Sequence, residues 1–163
     1  MKKIKNFGHL TLSAILFCLV AFSTQSFTTS TNELPPLIIP ASTMVSLEAR
    51  ESLTSEDVEV GHQIEFAVRT SVFVNNVEVI RAGTPASGVV KKVVKADKSC
   101  TTCQSGCAHI QIVVESVQAV DGSEVRVRST PLDIKAPCPN CSAQLSIGKT
   151  VSASVLSNTR INP

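Results

Sequence analysis

The chain is predicted to fold as an all-β domain, a small antiparallel barrel or sandwich of about seven to eight strands. Three observations carry that reading. Apolar and polar residues alternate with period two in short blocks, as strands with one buried face do. Glycines and asparagines separate the blocks, where tight turns are needed. Beyond the leader, no segment carries an apolar stripe of helical spacing over several turns.

Residues 1–23 read as a signal peptide. Lys2, Lys3 and Lys5 give a positive start, and Leu10 to Phe22 is an apolar run too short for a span, which takes about 20 residues. Ala21 and Ser23 make a cleavage site before Thr24, with Ser26 as a second candidate. Cys18 follows bulky Phe17, where lipidation signals carry a small residue, so it reads as part of the discarded leader. Residues 24–36, rich in Thr and Ser and ending in Pro35-Pro36, read as an extended linker. Residues 37–160 remain as a single β-domain.

Within that domain Met44 to Arg50 alternates loosely, and Ile64, Phe66 and Val68 alternate with Gln63, Glu65, Ala67 and Arg69. Val72-Phe73-Val74 and Val77 to Ile80 flank Asn75-Asn76, two residues that tolerate positive φ and so predict a tight hairpin. Val89 to Val94 is an apolar run broken by Lys91-Lys92. Ile110, Ile112 and Val114 alternate, and Val117 and Val120 lead to a turn at Asp121-Gly122. Val125 and Val127 then alternate with charged neighbours, and a last strand is predicted over 151–156. Single helical turns are expected within 52–60 and 142–147.

Composition narrows the function classes. Removal of the leader takes three of the 15 basic residues, leaving 12 against 13 acids and a net charge of −1. The basicity belongs to the leader, so no field remains to attract nucleic acid or an anionic membrane. Lys91, Lys92, Lys95 and Lys98 read as a solvated face and loop. Trp and Tyr are absent, and only Phe27, Phe66 and Phe73 lie beyond the leader. Stacking platforms for sugars or bases are therefore nearly missing. The sequence holds no G-x-S-x-G elbow, phosphate loop or paired carboxylates beside a His.

The chemistry-bearing feature is the cysteine pattern Cys100-x2-Cys103-x3-Cys107 and, 31 positions on, Cys138-x2-Cys141. If the strands around 89–96, 109–119, 124–129 and 151–156 are successive and antiparallel, both clusters fall at one end of the domain. Three readings stay open. Disulfides suit a small exported core short of aromatics, although five cysteines leave one over. Two CxxC pairs can supply four thiolates to a zinc ion, with Cys107 or His109 as the spare. A redox dithiol needs a CxxC opening a helix, and Cys138-Pro139-Asn140-Cys141 precedes only a short helical prospect. A cross-link between clusters, or a shared zinc, would hold down the long 130–148 connection. His62, with no partner at metal spacing, reads as exposed, and Glu56-Asp57-x-Glu59 as a solvated turn.

The order of turn motifs carries a resemblance. Ile39-Pro40-Ala41-Ser42-Thr43 opens a strand; Val60-Gly61, Ile80-Arg81-Ala82-Gly83-Thr84 and Gly88 follow; Asp121-Gly122 and Ile147-Gly148-Lys149-Thr150 come later. Over about 120 residues this resembles the "IPAGT, strand, hairpin, IPAGT, G-x-V" pattern of bacterial envelope β-barrel domains. Among these is the C-terminal barrel of TrbI-type scaffold proteins of conjugation and type IV secretion. Ser42 and Arg81 stand where the pattern has Gly and Pro, and nothing here matches the scaffold's proline-rich spacer and transmembrane helix. The resemblance implies a barrel and an envelope address.

The expected protein is thus a non-enzymatic exported envelope or secreted β-domain, periplasmic or extracellular. It would act as an adaptor, assembly or interaction module with a cysteine-stapled rim and a protein partner in the envelope. The competing expectation is a thiol-redox or metal-handling protein acting through its two CxxC pairs.

Overall fold

The computed structural model describes residues 35–96 and 107–163. Among them lie thirteen strands and no helix. In chain order they are β1 (Leu37–Ile39), β2 (Met44–Ala49), β3 (Leu53–Thr54), β4 (Gln63–Val68), β5 (Val72–Val74), β6 (Val77–Ile80) and β7 (Pro85–Val94). Then follow β8 (His109–Gln118), β9 (Glu124–Ser129), β10 (Leu132–Lys135), β11 (Gln144–Leu145), β12 (Thr150–Val155) and β13 (Thr159–Ile161).

Six strands close on themselves. The neighbours run β8-β7-β4-β2-β12-β9, all antiparallel, and β9 returns to pair with β8. Closure removes the edges that an open sheet of this size would expose. The alternation read from the sequence faces inward: Val45, Leu47 and Ala49 of β2, Val125 and Val127 of β9, and Val151, Ala153 and Val155 of β12 are all buried. On β8 the buried set runs Ile110, Ile112, Val114 and then Val117. The change of parity is accommodated by a register shift, with Val114 opposite Gly88 and Ser116 opposite Ser87.

Phe66 is the largest fully buried side chain, and one glycine makes room for it. A Cβ on Gly88 would lie 2.7 Å from Phe66 Cε2 and 3.2 Å from the Val113 carbonyl oxygen. Real Cβ atoms do not approach that closely, so the bare backbone of β7 is the surface against which the ring packs.

Four barrel strands begin with the same device. Residues 40–43, 59–62, 81–84 and 146–149 each form a turn whose fourth amide donates to the first carbonyl. The third residue has positive φ in every case: Ser42 (67°), Gly61 (92°), Gly83 (84°) and Gly148 (80°). That residue's amide donates to a carbonyl on the adjoining strand, of Val155, Val90, Val68 and Ala49 respectively, at 2.7–2.8 Å. The same strand residue's amide donates back to the fourth carbonyl of the turn at 2.9 Å. The arrangement is reciprocal. The turn before β2 clamps the end of β12 and the turn before β12 clamps the end of β2, while the turns before β4 and β7 clamp each other's strands.

Smaller pieces cover the barrel. Asn75 (φ 50°) and Asn76 (φ 64°) close the β5–β6 hairpin, as the two-residue turn required. β1 pairs with β13, joining the two ends of the domain, and Ile39 and Ile161 are buried there. β13 carries the domain to Ile161, one residue past the expected boundary. Of the single helical turns expected within 52–60 and 142–147, the first forms at 54–58, where the Val58 amide donates to the Thr54 carbonyl at 3.2 Å, and the second is absent. Those segments hold β3 and β11, which pair with one another through Leu53–Leu145 and Thr54–Gln144. Each is too short to show a period, and each takes its conformation from the other.

Candidate functional site

The ladder register fixes which loops share an end. Val94, at the end of β7, and Lys135, at the end of β10, both lie opposite His109. The chain therefore leaves β7, enters β8 and leaves β10 at a single rim. The Ala136 amide donates to the Ala108 carbonyl at 2.9 Å and extends this pairing past the strand ends. Cys107 precedes Ala108, so it stands beside the segment that runs into Cys138. Cys100 and Cys103 lie outside the described residues.

Cys138 and Cys141 form a disulfide with each other, Cα–Cα 5.3 Å. The local sequence explains why. Cys138-Pro139-Asn140-Cys141 is a β-turn in which the Cys141 amide donates to the Cys138 carbonyl at 3.2 Å. Pro139 pre-sets φ at the second position, and Asn140 accepts φ 61° at the third. A turn of this kind holds its ends within 7 Å, the spacing a disulfide spans. The staple is thus internal to one CxxC and does not link the clusters. In this oxidised form the two sulfurs are not thiolates, whereas a four-thiolate zinc site requires them reduced. Among the described residues no three His, Cys, Asp or Glu side chains converge as a metal site would. His109 is half-buried, with Nδ1 3.3 Å from the Cys107 carbonyl oxygen. No helix begins at Cys138 to lower a thiol pKa by its dipole.

The 130–148 connection needs no cross-link between clusters to hold it down. Leu132 and Ile134 of β10 pack on the core, and Ala143 and Leu145 are buried. Glu56 secures the neighbouring loop, accepting from the Ala96 amide at 2.9 Å through its carboxylate and from Lys95 Nζ at 3.1 Å through its carbonyl. The Thr54 hydroxyl donates to Asp57 across the same turn. The acidic turn at 56–59 therefore works as a strap across the rim. Of the other lysines, Lys91 pairs with Glu115 at 2.7 Å on the wall and Lys98 lies outside the described residues. His62 is exposed, as expected, and its carbonyl belongs to a strand-opening turn.

Two surface features escaped sequence reading. A groove of about 470 Å3 crosses the wall where Glu51, Glu65 and Glu124 approach Ser87 and Ser116. A second, lined by Met44, Val72, Phe73 and Ser152, leaves Met44 62% and Phe73 60% exposed. Alternation alone does not separate an outward apolar residue from an inward one when both occupy strands.

The opposite rim holds two carboxylates with displaced pKa values, Asp121 and Glu78. Burial works against charge on Asp121, but hydrogen bonds from Ser123 and from the Asn162 amide outweigh it and hold the carboxyl below its ordinary value. Glu78 is lowered mainly by the Ser71 hydroxyl and then by Arg81, whose Nε lies 3.0 Å away. Both bonds brace the β5–β6 hairpin.

Comparison of the chain with protein-family models and with curated proteins gives no match.

Proposed function

We propose that this chain is an exported β-barrel module of the bacterial envelope, a non-enzymatic adaptor or assembly component that presents a cysteine-bearing rim. The observation that carries the reading is the Cys138–Cys141 disulfide on a rim loop. Such bonds persist in oxidising compartments and are rare in the cytosol. The leader pattern at 1–23 supports the same address. The turns at 40–43 and 81–84 support the likeness to TrbI-type envelope barrels, because each sets a positive-φ residue and a strand clamp at the position of the repeated motif.

Expression with the native leader in a Gram-negative host, followed by fractionation, tests this. The expected result is periplasmic or secreted protein beginning near Thr24 or Phe27, with Cys138 and Cys141 resistant to alkylation until reduced. Cytoplasmic protein retaining Met1, with both thiols alkylated at once, would overturn the address. For the adaptor role, chemical cross-linking in intact cells should trap one discrete envelope product. A wholly uncross-linked pool at native expression level would count against it.

A further inference from the structure

We propose that Cys138–Cys141 is a thiol–disulfide exchange site, which a dithiol reduces in the folded protein, and not a staple on which the barrel depends. This goes beyond the adaptor reading and does not require it. Both flanks of the turn are secured without the sulfurs. On the amino side, Ala136 bonds to Ala108 and β10 is laddered to β8. On the carboxyl side, the Ser55 amide donates to the Ala143 carbonyl at 2.9 Å and the Ala143 amide donates to Ser55 Oγ at 3.1 Å. The turn itself is set by Pro139 and Asn140.

The bond also closes a small loop. Restriction of the unfolded chain grows with loop length, so a staple across three positions constrains least. Access completes the argument. Pro137, Pro139 and Asn140 are exposed, and both cysteines are only partly buried. A bond that contributes little to the fold and is presented to solvent is of the labile, exchangeable class.

The chemistry balances with a dithiol as reductant. One of its thiolates attacks a sulfur of the pair; the Cys138–Cys141 bond breaks, and the other cysteine leaves as a thiolate that takes a proton from water. The reagent's second thiolate then attacks the mixed disulfide and releases the remaining cysteine. Two electrons pass to the pair, giving two thiols, and the reagent becomes a disulfide.

The test uses the full mature protein with dithiothreitol under native conditions, alkylating at intervals and mapping the peptides. Cys138 and Cys141 should become alkylated at a rate within about tenfold of that in denaturant, while the β spectrum stays unchanged. Oxidised glutathione should then restore the same pair. A pair reachable only through global opening would react slower by the unfolding constant, about a thousandfold or more, and that result overturns the proposal. So does loss of the β spectrum on reduction, or reoxidation that yields a bond to Cys107 instead.

Discussion

Ser55 and Ala143 exchange two hydrogen bonds at the buried base of the cysteine rim, although 88 positions separate them. Ser55 is fully buried, and its hydroxyl is the acceptor for an amide that the short β3–β11 pair leaves over. One serine thus fastens the loop after the disulfide to the loop after β3.

Replacing that serine should be costly. Ser55→Ala leaves the Ala143 amide buried without its acceptor, a penalty of about 1–3 kcal/mol. Urea unfolding should show the loss. Hydrogen exchange should place it at Ala143 and Leu145, and unchanged exchange at those amides would refute the assignment.

The disulfide should matter less than its conspicuousness implies. Closing a loop of four residues contributes at most about 2 kcal/mol in the entropic model, and a turn already shaped by Pro139 and Asn140 leaves less to gain. Cys138→Ser with Cys141→Ser should therefore fold and lose about 2 kcal/mol or less. Failure of that double variant to fold, with Ser55→Ala still folded, would show that the staple organises the rim.

Gly88 should resist enlargement. Gly88→Ala drives a methyl into Phe66 Cε2 and towards the Val113 carbonyl, and overpacking of this kind costs about 1–3 kcal/mol. Because the ring is the first obstacle, Phe66→Leu in the same chain should recover part of the loss. Strictly additive effects in the double variant would mean that the two positions do not collide.

Ser42 is strained where Gly83 is not. Both occupy the third position of a strand-opening turn, yet only Gly83 adopts positive φ without a Cβ penalty. Ser42→Gly should stabilise by about 0.5–1 kcal/mol, and Gly83→Ser should destabilise by about 1 kcal/mol, with open space around the new side chain. Opposite signs in thermal melts check the equivalence of the turns.

Acid should loosen the carboxyl end of the domain first. The folded Asp121 carboxyl sits below its ordinary value, so its contribution is complete above the unfolded pKa of about 4 and fades as pH falls through the folded one. Below about pH 4, amide exchange at Asn162 and along β13 should accelerate before the barrel opens. In Asp121→Asn the extra acid sensitivity should vanish.

Much of the barrel was legible because its strands are long enough to show a period. β2, β9 and β12 each bury one face throughout, β4 and β8 do so over most of their length, and period two records that directly. Asn75-Asn76 and the turn glycines were equally readable, since positive φ is a local demand that few residues meet. The CxxC turn was half legible: Pro139 and Asn140 specify its shape, but spacing alone allowed disulfide, zinc and dithiol alike.

By itself, then, the sequence determined the all-β class, the alternating faces and the places where the chain reverses, because these depend on neighbours within a few residues. Tertiary structure decided the rest. Closure requires β9 to meet both β12 and β8, and no local pattern states that partnership. β1, β3, β11 and β13 hold two or three residues each and extend only because a distant partner supplies the ladder, as Ile161 does for Leu37. The sulfur pairing follows the same division. Cys138 and Cys141 are brought together by the local turn at Pro139-Asn140, whereas the flank that follows them is held by a buried serine far away in the chain.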